Sequence, residues 1–315
     1  MTLVIVGHEI RADGYSEVWA KNKNSQKIIL RSEGLFAVAD SIITSGGSPI
    51  LSGLRKIHSI PLKLWKPYFV HEYFRDYLET YIDTECFVAF SGSTLTATHA
   101  LNNISTHLGN LQISCEPRRK EFIPVKYIVQ RHCEYNILRD SNEVILWGED
   151  MFLNHDFEKL LTAQYIAEVI EHSINNALKS AKKYRLTAEE VQNMRSDFAA
   201  GIFCPTTKQH YLFLYRMRER MVNNIVEVFT EREEIGNDRV AVLGMRDKFE
   251  ERAQKTYCEA LKSGISTGKE IFKFLNYAIE EVASTGSFSI DKPSFHKKFE
   301  CGKLKTVKVE PSNDN

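Results

Sequence analysis

Two residues in the first sixty have the right types to do acid–base chemistry together. Asp40 ends the apolar run Leu35-Phe36-Ala37-Val38-Ala39, and sixteen residues later Lys56 follows Arg55 on a second apolar stretch. The segment between them, Thr44-Ser45-Gly46-Gly47-Ser48-Pro49, consists of turn formers. This spacing predicts a carboxylate and an ammonium on neighbouring strands. The beginning of the chain, Met1-Thr2-Leu3-Val4-Ile5-Val6, reads as a strand that starts at the terminus itself. Once Met1 is removed, Thr2 would carry a hydroxyl and a free α-amine on one residue. A hydroxyl is a poor nucleophile until a base takes its proton, and an α-amine, with a reference pKa of about 7.7–8.0, is such a base. A nearby lysine cation disfavours a second positive charge and drives the amine toward its neutral form. The aspartate would pair with Lys56 and hold it. Each residue also has a plain reading: Asp40 as a turn cap, Lys56 as its surface partner, Thr2 as merely the second residue.

These groups must be positioned by the elements around them. Cys86-Phe87-Val88-Ala89-Phe90 is a continuous apolar run of the kind buried on both faces of a sheet, broken at Ser91-Gly92-Ser93. A helix is expected from Thr94 to Leu108. The aromatic-rich stretch Leu62 to Tyr81 predicts a helix over its second half. Residues 112 to 153 read as strands with turns: Pro124 to Val129, Asn136 to Arg139 and Val144 to Trp147. Helical periodicity then runs from Phe157 to Lys183. A capping box opens a further helix at Thr187, with Glu190 three residues on. Phe198 to Phe203 and Tyr211 to Met217 read as a hairpin, and Arg239 to Gly244 as a buried strand. Helices follow over Lys248 to Lys262 and Lys269 to Ala283, then a short strand near Ser287 to Ile290. This order predicts an α/β (α+β) fold. Two stacked, mainly antiparallel sheets lie between helix layers, a four-layer α/β/β/α sandwich. One domain is expected over residues 1–302, with insertions near 11–26 and 112–155, and a disordered tail over 303–315.

Composition narrows the function classes. The 315 residues contain 41 Lys plus Arg and 41 Asp plus Glu, so no global field attracts nucleic acid or an anionic membrane. No apolar run is long enough to span a bilayer, and the N-terminus lacks the features of a secretory signal, so a cytoplasmic location is expected. The six cysteines show no C-x-x-C pairing and read as free thiols. His132-Cys133 reads as structural, because neighbours in an extended segment point to opposite faces. No metal-ligand spacing and no phosphate loop occurs, so neither metal nor cofactor is expected.

Thr2 on a terminal strand, then V-A-D-S, R-K-I-H and F-S-G-S before a helix, together resemble the proteasome β-subunit and HslV-like family of N-terminal nucleophile hydrolases. The pattern is nearest its Anbu-type bacterial branch. The resemblance is good over about residues 2–110 and weaker over 198–290. It implies catalytic roles for Thr2, Asp40 and Lys56, and for Gly92, whose amide would face the tetrahedral oxyanion. It also implies a peptide or unfolded-protein substrate and a homo-oligomeric ring or stack, with the Leu161 to Ala181 helix at a subunit contact; it does not say whether an unfoldase partner exists. The chain departs from the family where Gly244 is followed by Met245-Arg246-Asp247, and where Val282-Ala283-Ser284-Thr285-Gly286 lacks an aspartate. The reading is a threonine peptidase. The alternatives are an inactive proteasome-fold protein serving in assembly, and an amidase acting on a small metabolite.

Overall fold

A computed structural model describes residues 2–10, 32–45, 48–116, 125–141, 151–184, 186–222 and 225–311. Strand β1 (Leu3–Glu9) runs antiparallel between β2 (Gly34–Ala39) and β12 (Val240–Gly244). Beyond β2 this five-stranded sheet continues through β13 (Ser294–Glu300) to β14 (Lys303–Glu310). A seven-stranded sheet has the order β11 (Ile225–Ile235), β10 (His210–Val222), β9 (Ser196–Phe203), β6 (Tyr73–Gly92), β5 (Ile57–Val70), β7 (Leu111–Cys115), β8 (Tyr127–Arg131). Between the turn residues expected after Asp40, β3 (Ile43–Ser45) and β4 (Ser48–Leu51) form a small hairpin.

Strand periodicity sorts the side chains into three apolar layers. Val4 and Val6 of β1 meet Ile57, Phe87, Ala89 and Leu214 between the two sheets. The alternate residues, Leu3 and Ile5, face Phe249 and Leu275 of α5 (Arg246–Ser263) and α6 (Thr267–Ser284). Val88 and Phe90 of β6 instead pack with Ile104 and Ile170 of α1 (Thr94–Gly109) and α3 (Ala163–Lys183). Strands covered on both faces favour apolar residues at successive positions, which is why Leu3 to Val6 of β1 and Leu35 to Ala39 of β2 are unbroken runs. The layers are helix, sheet, sheet, helix, in the α/β/β/α order expected. Thr187 and Glu190 form the expected capping box at α4 (Ala188–Met194), after the short helix α2 (Ile137–Asp140).

Several expectations are corrected. The aromatic stretch is not helical: β5 and β6 form one long hairpin, with Ile60, Leu62 and Leu64 buried in strand alternation. Register shifts at Leu64/Trp65, Lys66/Pro67 and Tyr68/Phe69 break that alternation, so the aromatic spacing imitates a helix. The tail is not disordered over 303–310, where β14 forms the sheet edge. Its Lys-rich, largely exposed face suits an edge strand and offers no apolar pattern to read. No strand forms over 287–290; β13 begins at Ser294 instead. Asn136 caps α2, with its side chain accepting from Leu138 N–H, where a strand was expected. The charged strand β11 went unread because the run Glu231-Arg232-Glu233-Glu234 replaces apolar alternation over its second half. The apolar stripe of α3 packs inside its own chain. The expected elements over 11–31 and 144–147 lie outside the described residues.

Candidate active site

Three of the four sequence-predicted residues meet at the start of β1, and they arrive from different layers. The ladder pairs Leu3 with Gly244 and Val4 with Ala39, so the ends of β12 and β2 flank the opening of the strand. On the β12 side, Met245 N–H donates to the Thr2 carbonyl at 2.9 Å. Gly244 has φ +91°, and a Cβ there would lie 1.8 Å from that same oxygen. Only glycine permits both the backbone angle and the close approach.

On the β2 side, Asp40 grips the next residue twice. Its N–H donates to Leu3 O at 3.2 Å, and its Oδ1 accepts from Leu3 N–H at 2.8 Å. Oδ2 accepts from Ile42 N–H at 3.2 Å and from Lys56 Nζ at 2.8 Å. Lys56 Nζ also donates to Thr2 Oγ1 at 3.0 Å. The relative exposures of Thr2, Asp40 and Lys56 are 8%, 0% and 3%.

The acid and the base do not lie on neighbouring strands as expected. Asp40 follows β2 of the five-stranded sheet. Lys56 precedes β5 of the seven-stranded sheet, where its carbonyl accepts from Phe90 N–H at 3.1 Å. The ion pair therefore bridges the two sheets at one end of the core between them. Burial is the largest influence on both groups. It raises the Asp40 carboxyl above its ordinary value and lowers the Lys56 ammonium below its own, each opposed by the charge of the other. The Asp40 carboxyl is further held toward its ionised form by the two backbone N–H groups.

Gly92 lies two residues along β6 from Phe90, with φ +99°, and pairs with Ser196 of β9. A Cβ at Gly92 would fall 2.1 Å from Arg195 O, so glycine is required there too. N–H groups alternate sides along a strand. Phe90 N–H points to Lys56, and Ser93 N–H points to Arg195 O on the opposite side. Gly92 N–H therefore lies on the Lys56 side of β6.

Two neighbours escaped the reading of the sequence. Gly244 was visible as a strand-ending glycine, but its contact with Thr2 was not. Lys297 on β13 donates to Ile57 O at 3.2 Å, beside Lys56, across a separation of 240 residues that no local pattern bridges. His58 donates through Nε2 to Arg55 O at 2.8 Å and stacks on Phe90. Burial lowers its pKa, and the cations of Arg55 and Lys297 add to that.

Among the described residues, no helix is long and apolar enough to cross a membrane. No protein-family model matches the chain, and no curated protein matches it. Among solved structures, the chain is similar to two of Anbu from Hyphomicrobium sp. strain MC1, one of them a mutant. Both have a TM-score of 0.40 and cover 100% of this chain and 89% of the other, at 10% identity for the mutant and 9% for the second.

Proposed function

We propose that the chain is an N-terminal nucleophile hydrolase in which Thr2, freed of Met1, cleaves an amide bond, and that it works as a homo-oligomeric peptidase. The observation that carries this reading is the position of Lys56 Nζ, within hydrogen-bonding distance of both Thr2 Oγ1 and Asp40 Oδ2. A buried lysine on a hydroxyl that needs no such partner for stability is better explained by chemistry than by packing.

In this reading the Thr2 α-amine takes the Oγ1 proton as Oγ1 bonds to the substrate carbonyl carbon. Lys56, held by Asp40, keeps that amine neutral before the attack. Gly92 N–H is the donor for the oxyanion, a contribution whose loss typically costs about 100- to 1,000-fold in rate. The C–N bond then breaks, the amine leaves with the proton, and water hydrolyses the resulting ester. Reaction with an epoxyketone or β-lactone followed by peptide mapping tests the reading. An adduct on Thr2, absent in Thr2→Ala, is expected, together with a native N-terminal mass lacking Met1.

A second reading, an inactive fold relative used in assembly, is favoured by one observation. At the end of β12 the residue that contacts Thr2 through its backbone is Met245, which brings no polar side chain to the site. A native chain that retains Met1 and forms no adduct would support it.

A further inference from the structure

A second cluster of reactive side chains lies away from Thr2, where three separate segments meet. His107 is in the last turn of α1, His172 and Ser173 are on α3, and His132-Cys133 occupy the turn after β8. The His107 ring centroid is 5.7 Å from that of His132 and 5.5 Å from that of His172. Cys133, an exposed free thiol, puts Sγ 3.7 Å from His107 Nε2. The His132-Cys133 pair is in a turn, not the extended segment that its sequence suggested.

The hydrogen bonds assign the tautomer of His107. Ser173 is fully buried, and its one hydroxyl proton goes to Val169 O at 2.6 Å. Ser173 Oγ can then only accept from His107 Nδ1–H, at 2.7 Å. Nε2 of His107 is left with a bare lone pair directed at Cys133 Sγ. An imidazole whose far nitrogen is held by an outer partner while its near nitrogen faces a second donor is the usual arrangement around a bound metal. With metal–sulfur and metal–nitrogen bonds of about 2.3 and 2.0–2.1 Å, two ligands of a tetrahedral zinc site lie roughly 3.6 Å apart. The Cys133–His107 separation matches that edge.

We propose that Cys133, His107, His132 and His172 form a binding site for one zinc-class divalent cation, which clasps the end of α1, the α3 face and the turn after β8 together. Among the described residues no three of these donors already converge on one point, so the half-buried rings of His132 and His172 turn toward the Cys133–His107 edge on binding. His132 Nδ1 is buried and makes no hydrogen bond among the described residues, so its turning breaks none. Glu134 beside the cluster is paired with Arg131, which offsets that arginine's repulsion of a cation. On binding, the thiol proton of Cys133 is released to solvent as the sulfur–metal bond forms.

Cobalt(II) titration of the full chain tests the site, because cobalt reports a thiolate ligand through a charge-transfer band and a tetrahedral site through its visible bands. One cobalt per chain is expected, displaced by zinc, with a rise in Tm on zinc addition. Cys133→Ser, on an exposed side chain, should abolish the charge-transfer band. Ser173→Ala should weaken binding about 10- to 100-fold. His172→Gln should weaken it while leaving the circular dichroism of the metal-free chain unchanged. The absence of a charge-transfer band, or a band that survives Cys133→Ser, overturns the proposal; the pair is then a thiol–imidazole hydrogen bond and nothing more.

Discussion

Asp40 holds Leu3 through both its main chain and its side chain: its N–H donates to the Leu3 carbonyl and its Oδ1 accepts from the Leu3 N–H. The carboxylate thus fixes the backbone next to Thr2 while its other oxygen fixes Lys56. One group sets both the placement of the proposed nucleophile and the charge beside it.

Asp40→Asn separates these tasks. The amide oxygen can still accept from Leu3, but Lys56 loses its counter-charge while remaining buried. Breaking one side of a buried pair costs about 3–5 kcal/mol, and a loss of that size is expected in chemical denaturation, with Thr2 labelling abolished. A variant as stable as the wild type would show that the pair is not buried as described.

The pH dependence of Thr2 labelling reports on Lys56. Its cation should hold the α-amine below the ordinary value of about 7.7–8.0. Lys56→Gln removes the charge while keeping a side-chain donor, so the inflection of labelling rate against pH should move upward. A profile that stays put, or moves to lower pH, argues against an α-amine base.

Gly244→Ala places a methyl group against the Thr2 carbonyl at a backbone angle that alanine disfavours. Strain of this kind costs about 1–3 kcal/mol before any clash is counted. Thermal denaturation should show at least that loss, and displacement of Thr2 should slow labelling. Gly286→Ala, at φ +73° with open space around its Cβ, is the control: it shares the backbone penalty but should leave labelling intact.

His296 predicts an acid limb of stability. It is 4% exposed and stacks on Phe272, and burial, followed by the cations of Lys269 and Lys298, lowers its pKa to about 4. The unfolded chain protonates it near 6.5, so between these values the unfolded state holds more protons. Stability contributed by the neutral ring is complete above about pH 6.5, falls as pH drops toward 4, and is then exhausted. The interval corresponds to roughly 3 kcal/mol. His296→Gln should flatten the urea-denaturation free energy over that range relative to the wild type; identical slopes would exclude His296 as its source.

Much of the fold could be read along the chain because local chemistry and tertiary demand agreed. Unbroken apolar runs marked the strands of the two central layers, the Thr187 and Glu190 pair marked a helix start, and turn residues separated Asp40 from Lys56. Where the two disagreed, reading failed. Bulges hid the alternation of the β5–β6 hairpin, and β14 borrows its order from pairing with β13 rather than from any apolar face of its own.

The linear order by itself determined that Asp40 ends a buried strand and that turn residues lie between it and Lys56, because burial and turn formation are written in neighbouring side chains. Only the tertiary structure decided that the acid and the base come from opposite sheets, that Gly244 and Lys297 crowd the same corner, and that four histidine and cysteine side chains from distant segments gather on one face. Such meetings depend on how layers stack, and stacking is settled by contacts between residues that no local period connects.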